Sequence, residues 1–282
     1  MRVRYLFSSR RTRRIEGKNQ HRVAYPTLAR NVIRISDIVL EVLDARYLAE
    51  TRNLVLEREI KDAGKLLFYI INKADLVDLK ELKQNVEELG LTPYVLFSCT
   101  TMIGRKQLRE RIRIEIKRQK LKQTKGFQRA HVGVIGYPNV GKSSLLNLLT
   151  HRSAARTSAQ AGFTRGLQKI RFTKDIMIID SPGVISEGQN IINREDKRVQ
   201  TKIGVRNYDS VKDPEFVVSA LMGERKGLFE QYYGVAAEGD AEILLEELGK
   251  RWNFVKKKGV VDIERAARKV LKDWQESIIK KR

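Results

Sequence analysis

The 282-residue chain is 41% hydrophobic and has five prolines. That is enough apolar material for one domain of about 150–180 residues with a smaller companion, and too little proline for a long disordered chain. Its 56 Lys and Arg against 34 Asp and Glu leave a formal charge of +22, which calls for a polyanionic partner and favours nucleic acid.

A single cysteine, Cys99, excludes an internal disulfide framework and fits a reducing, cytoplasmic setting. No apolar run approaches the roughly 20 residues of a membrane helix, and residues 1–20 lack the apolar stretch of a secretory signal. Residues 1–34 hold ten Lys or Arg and one acid, Glu16, so the chain begins as a basic arm. Residues 37–44, Asp-Ile-Val-Leu-Glu-Val-Leu-Asp, then read as a buried strand that ends in the polar Ala45-Arg46. Residues 65–71 and 93–98 are further apolar runs, separated by helix-like stretches at 52–62 and 80–89, with Gly90 as a stop.

Residues 105–129 carry eleven Lys or Arg against Glu110 and Glu115. Leu108, Ile112, Ile116 and Leu121 recur at helical spacing, which predicts a long basic helix. Residues 131–135 form a fourth apolar strand, followed by an edge strand at 167–173 and a central one at 175–180. Alternating strands and helices imply an α/β fold with a mostly parallel, doubly wound sheet covered on both faces. From residue 213 the pattern is helical throughout, at 214–222, 226–233, 240–252 and 262–279. Pro214 suits a first helical turn, and Asp240 and Asp262 suit N-caps.

Gly136-Tyr-Pro-Asn-Val-Gly-Lys-Ser143 follows a strand and precedes the helical Ser144-Leu-Leu-Asn-Leu-Leu149. This is the context in which a glycine-rich loop cradles phosphates. Asn139, Val140 and Gly141 supply loop backbone, Lys142 neutralises the β/γ-phosphates, and Ser143 offers a hydroxyl to Mg²⁺, with Ser144 beside it. Asp180-Ser-Pro-Gly183 closes a strand, so Asp180 would hold Mg²⁺ through water and the Gly183 N–H would meet the γ-phosphate. Between them, Thr164 is the preferred second Mg²⁺ ligand over Thr157.

Asn72-Lys-Ala-Asp75 ends another strand. The Asp75 carboxylate matches guanine N1–H and its exocyclic amine, which adenine does not present, while Asn72 and Lys73 frame it. Ser98-Cys99-Thr100 fits the loop that supports the guanine carbonyl. The ligand set is therefore GTP or GDP with Mg²⁺. Val184 stands where many such proteins carry a water-orienting glutamine, so unassisted turnover should be slow. Asn139 has two readings, a ligand to K⁺ beside the phosphates or a loop-shaping residue bonded to its own backbone.

The base-reading motif thus precedes the phosphate loop, the reverse of the usual order. That order resembles the circularly permuted GTPases, and within them the YlqF/RbgA branch, over nearly the whole chain. Residues 37–46 with Arg52-Asn53 resemble the branch's leading strand, and residues 240–249 and 261–267 resemble its small helical RNA-binding domain. The resemblance implies a P-loop GTPase domain followed by an all-helical domain. It also implies a ribosome-assembly factor that acts as a monomer, binds ribosomal RNA or a ribosomal subunit and is stimulated by it. Family members carry a catalytic histidine in an N-terminal segment. His21 lies where it is expected, although the aromatic and proline residues that normally precede it are replaced by Gly17-Lys-Asn-Gln20.

The implied organisation is a basic arm at 1–20, a GTP-binding domain at 21–185, a switch and linker at 186–212 and a helical domain at 213–282. Because Gly183 leads out of the GTP-binding domain into that linker, loss of the γ-phosphate is expected to move the helices directly. The competing reading is an RNA-binding scaffold that holds GTP without turning it over.

Overall fold

The run Ile-Val-Leu-Glu-Val-Leu-Asp forms β1 (Ile38–Asp44), and every residue of it is buried because it lies inside the sheet with layers packed on both faces. The computed structural model describes residues 25–122, 129–150, 168–180, 201–202, 204, 207–256 and 259–280. Around β1 are arranged β2 (Leu66–Asn72), β3 (Tyr94–Leu96), β4 (Ala130–Gly136), β5 (Gln168–Arg171) and β6 (Ile176–Asp180). They form a six-stranded sheet in the order β3-β2-β1-β4-β6-β5. Strand pairing is parallel except that β5 runs antiparallel to β6, as the edge character of 167–173 suggests.

Alternation along β1 sends Ile38, Leu40 and Val42 to one face and Val39 and Leu43 to the other. On the first face lie α5 (Arg105–Lys122) and α6 (Lys142–Thr150), through Leu108, Ile112, Ile116, Leu145 and Leu149. The second face is covered by α1 (Tyr25–Ile35), α3 (Leu54–Asp62) and α4 (Leu79–Glu88). A short α2 (Leu48–Thr51) follows β1. The sequence predicts no helix at α1, because its apolar stripe is only Ala29, Val32 and Ile33 among basic residues. Packing of that stripe on the sheet supplies what helical propensity alone does not.

Helix ends follow local chemistry. The Asn53 side chain accepts from Leu56 N–H, and Asp78 accepts from Lys80 and Glu81 N–H. Gly90 takes a positive φ at the stop after α4, as expected. In the C-terminal part, α7 (Pro214–Glu224) starts at its proline, followed by α8 (Leu228–Tyr233). The α9 (Ala241–Arg251) and α10 (Ile263–Gln275) helices are capped by the Asp240 and Asp262 carboxylates. Val218, Leu221, Leu244, Leu248, Val270 and Leu271 are among the fully buried residues joining α7, α9 and α10. This helical cluster is continuous with the first face of the sheet, where the Tyr47 and Trp274 rings meet edge to face at 6.2 Å.

Candidate nucleotide-binding site

Sheet register assembles the site. Asp44 lies opposite Asn72, Val42 opposite Gly136, and Val134 opposite Asp180, so the motif-bearing strand ends share one carboxyl edge. The chain winds from β1 outward through β2 and β3, then returns to place β4 on the other side of β1. Ligands of open α/β sheets bind at such a reversal.

The phosphate loop is shaped by two glycines. Gly136 has φ +143°, and a Cβ there would lie 2.5 Å from the Val42 carbonyl oxygen. Gly141 has φ +99°, and a Cβ there would lie 2.2 Å from Asn72 Nδ2. Lys142 opens α6 with its ammonium folded back over the loop, donating to the carbonyls of Gly136 at 3.0 Å and Tyr137 at 2.6 Å. Ser143 and Ser144 are half-buried in the same first turn, where helix N–H groups face an incoming anion. Asn139 takes a left-handed conformation, and its Nδ2 donates to the Gly204 carbonyl at 2.6 Å. A concave loop closed to any Cβ, a buried lysine at its mouth and a helix N-terminus behind it fit a polyphosphate.

The base-reading motif locks onto this loop. Asn72 Nδ2 donates to the buried Val140 carbonyl at 2.7 Å, and the Cys99 thiol donates to Asn72 Oδ1 at 3.5 Å. Burial pushes the Cys99 thiol up to about 11, which keeps it a donor. Ser98 is fully buried, and its Oγ accepts from the N–H groups of Thr100 and Thr101. Asp75 is half-buried in the turn Ala74–Leu76.

Lys73 has φ +63° and pairs with the Asp44 carboxylate at 2.9 Å. Arg46 grips the same carboxylate in a fork, Nε to Oδ1 at 3.0 Å and Nη2 to Oδ2 at 2.8 Å. Burial acts to raise the Asp44 carboxyl, but Arg46 and then Lys73 outweigh it and hold it well below the usual carboxylate range.

Asn72, Lys73, Asp75, Ser98, Cys99, Asn139, Val140, Gly141, Lys142, Ser143 and Ser144 therefore gather at one edge with the backbone of Asp180. Thr157, Thr164, Gly183, Val184, His21, the Asp180 side chain and most of the 186–212 linker lie outside the described residues. The reading of isolated motifs missed Asp44, Arg46 and Gly204 as parts of the site. The Asp44-Ala-Arg46 pair was detectable as two opposite charges at a buried strand end, whereas Gly204 carries no local signal.

Comparison with known proteins agrees with this geometry. Residues 131–226 match the family described as 50S ribosome-binding GTPase. An uncharacterized GTP-binding protein of Methanocaldococcus jannaschii is 34% identical, over 90% of this chain and 66% of its own length. A guanine nucleotide-binding protein-like protein of Arabidopsis thaliana is 32% identical over 93% of this chain and 48% of its own. The chain thus spans two thirds or less of these relatives. The GNP-bound YlqF structure from T. maritima superposes with a TM-score of 0.61 at 22% identity, covering 89% of this chain and 93% of that one. The GDP-bound YlqF structure gives 0.58, also at 22% identity, over 88% and 93%. The reversed motif order, the shared fold and the similarity to GTP-binding relatives agree: the chain belongs to the YlqF/RbgA-like family of circularly permuted GTPases.

Proposed function

We propose that the protein binds GTP at this edge, hydrolyses it, and works as a ribosome-assembly factor that holds ribosomal RNA in one nucleotide state and leaves in the other. The observation that carries the reading is the 2.7 Å hydrogen bond from Asn72 to the Val140 carbonyl, which makes a guanine-reading motif and a phosphate loop one site. Asp75 reads the guanine edge, with Ser98 and Cys99 supporting the loop behind it. Lys142 exchanges the Gly136 and Tyr137 carbonyls for phosphate oxygens.

Ser143, Thr164 and Asp180 are the residues that would hold Mg²⁺, which supplies charge neutralisation at the leaving and transferred phosphates. Asn139 would hold K⁺. Gly183 senses the γ-phosphate. Val184 has no hydrogen-bonding group for the attacking water, so turnover alone is slow, and His21 supplies that function once the N-terminal arm is docked. Residues 213–282 form the RNA-binding domain. The names of the relatives support this reading: the matched family is described as ribosome-binding, and a GTPase of Oryza sativa at 31% identity is called nuclear/nucleolar.

Single-turnover GTP hydrolysis with and without purified ribosomal subunits tests the proposal. Stimulation by one subunit is the expected result, and equal rates with neither, either or both would overturn it.

A further inference from the structure

The basic helix α5 is not used by the nucleotide site, yet it is the most strongly cationic element described. It runs for 18 residues, about 27 Å. Its inner face is Leu108, Ile112 and Ile116, all buried. Lys106, Arg111, Arg113, Lys117 and Arg118 are exposed on the outside. Arg118 and Arg111 share one acid, Glu115, at 2.8 and 3.7 Å. Lys106, Arg113 and Lys117 follow one another at helical spacing along one stripe, and no ion pair joins any of them to an acid among the described residues. Ile114 is the only large apolar side chain exposed among those described on this helix, with Met102 and Ile103 exposed in the turn before it, so the stripe itself is cationic and carries no aromatic anchor.

Two further arginines of α5 do a different job. Arg105 Nε donates to the Leu148 carbonyl at 3.1 Å, and Arg109 Nη1 donates to the Leu149 carbonyl. Both acceptors belong to the last turn of α6, whose first residue is Lys142 of the phosphate loop. Cations there also complement the helix dipole. Burial, then Arg113 and Arg105 beside it, draw the Arg109 guanidinium below its ordinary value, a sign of like charges held together. The helix that starts at the glycine-rich loop thus ends on the underside of a cationic surface.

We infer that the stripe Lys106, Arg113 and Lys117 is a docking surface for an RNA phosphate backbone, and that the Arg105 and Arg109 contacts to α6 make its occupancy felt at the phosphate loop. The choice of RNA rests on the ribosomal reading above, while the phosphate recognition rests on the helix itself. Neutralising phosphates releases counterions, so the affinity is salt-dependent in proportion to the number of cations engaged. The coupling is reciprocal: RNA that changes GTP affinity through α6 must have its own affinity changed by GTP by the same factor.

The test is the full chain carrying K106E, R113E and K117E together, compared with wild type and with a K106R, R113K and K117R variant that keeps the charge. Probes are purified subunits, protein-free ribosomal RNA and an unrelated RNA duplex, each titrated over a range of salt. Unchanged GDP affinity shows that the reversed-charge variant is folded. Its binding to protein-free RNA should fall at least tenfold, with the slope of log affinity against log salt reduced by about 2, and the charge-keeping variant should match wild type. Equal RNA binding by wild type and the reversed-charge variant overturns the inference. So does a loss confined to whole subunits with protein-free RNA unaffected, since the partner is then an acidic protein. Wild type that binds the RNA duplex through the stripe but ignores ribosomal RNA and subunits supports the docking surface and sinks the ribosomal reading instead.

Discussion

Asn72 and Val140 are joined by a 2.7 Å hydrogen bond, carboxamide to backbone carbonyl, although they belong to motifs that the chain writes in reverse order. The bond lies directly under Gly141, where any Cβ would strike the same carboxamide. The Asn72–Asp75 turn and the glycine-rich loop are therefore not two adjacent patches but one locked unit. The reversal of chain order leaves that unit intact because strand register, not sequence order, brings Asn72 and Gly136 to the sheet edge.

Asn72→Ala is expected to weaken GDP binding by ten- to a hundredfold. The change leaves the buried Val140 carbonyl without its donor, at a cost of about 1–3 kcal/mol. Gly141→Ala should abolish binding outright, because φ +99° and the 2.2 Å approach to Asn72 both resist a methyl group. Calorimetric titration with GDP measures both, and tight binding by Gly141→Ala would show that the loop adapts.

Glu41 gives a pH dependence. It is buried at the centre of β1, Oε1 accepts from Asn53 N–H at 2.9 Å, and its carboxyl is pushed up to about 8, first by burial and then by Glu57. The folded state therefore keeps a proton that the unfolded chain loses above its ordinary value of 4.5. Stability should fall as pH rises between those values, by at most about 1.4 kcal/mol per pH unit for this group, and level off above the upper one. Urea unfolding of wild type and Glu41→Gln between pH 5 and 9 should show that slope in wild type and its loss in the variant. Parallel pH profiles would mean that Glu41 stays ionised in the fold.

Trp274 ties the helical part to the site. Its indole Nε1 donates to the Lys202 carbonyl at 3.1 Å, its own carbonyl accepts from Arg46, and the Arg46 guanidinium lies 4.5 Å from its ring. Gln275 reaches the Thr201 carbonyl beside it, and Gly204 receives the Asn139 amide. Trp274→Ala should cost about 3–5 kcal/mol in stability and weaken nucleotide binding as well. Trp274→Phe keeps an aromatic ring in the core but loses one hydrogen bond and part of the buried volume, so it should cost less than the alanine change. Thermal unfolding with and without GDP separates the two effects. A full loss of stability without any change in GDP affinity would confine Trp274 to the core.

Asn139 joins Gly204 through its amide nitrogen, which fixes the plane of the carboxamide. An amide oxygen in this part of the loop is the ligand a monovalent cation would use. Subunit-stimulated GTP hydrolysis should therefore be several-fold faster in potassium than in sodium chloride at equal ionic strength, and Asn139→Ala should remove the difference. Equal wild-type rates in the two salts would leave Asn139 as the link to Gly204 alone.

The phosphate loop and the Asn72–Asp75 turn were legible in the sequence because each is local. A loop that wraps phosphate needs its glycines, lysine and serine in one short stretch at a strand end, and Asn72–Asp75 likewise needs only its own turn. The helix ends were legible for the same reason, since Asp240 and Asp262 bond to N–H groups two or three residues away. What the sequence could not disclose depends on groups that share no segment. Asp44 is held by Arg46 beside it but also by Lys73 from the next strand, and Arg46 is completed by Trp274, which lies 228 positions further on. Burial makes these contacts matter, because a charge out of water must find its partner wherever the fold supplies one. Composition and motif order determined the ligand class and the family. Tertiary packing decided that the two halves of the site interlock through Asn72 and Val140, and that the end of α10 rests against them.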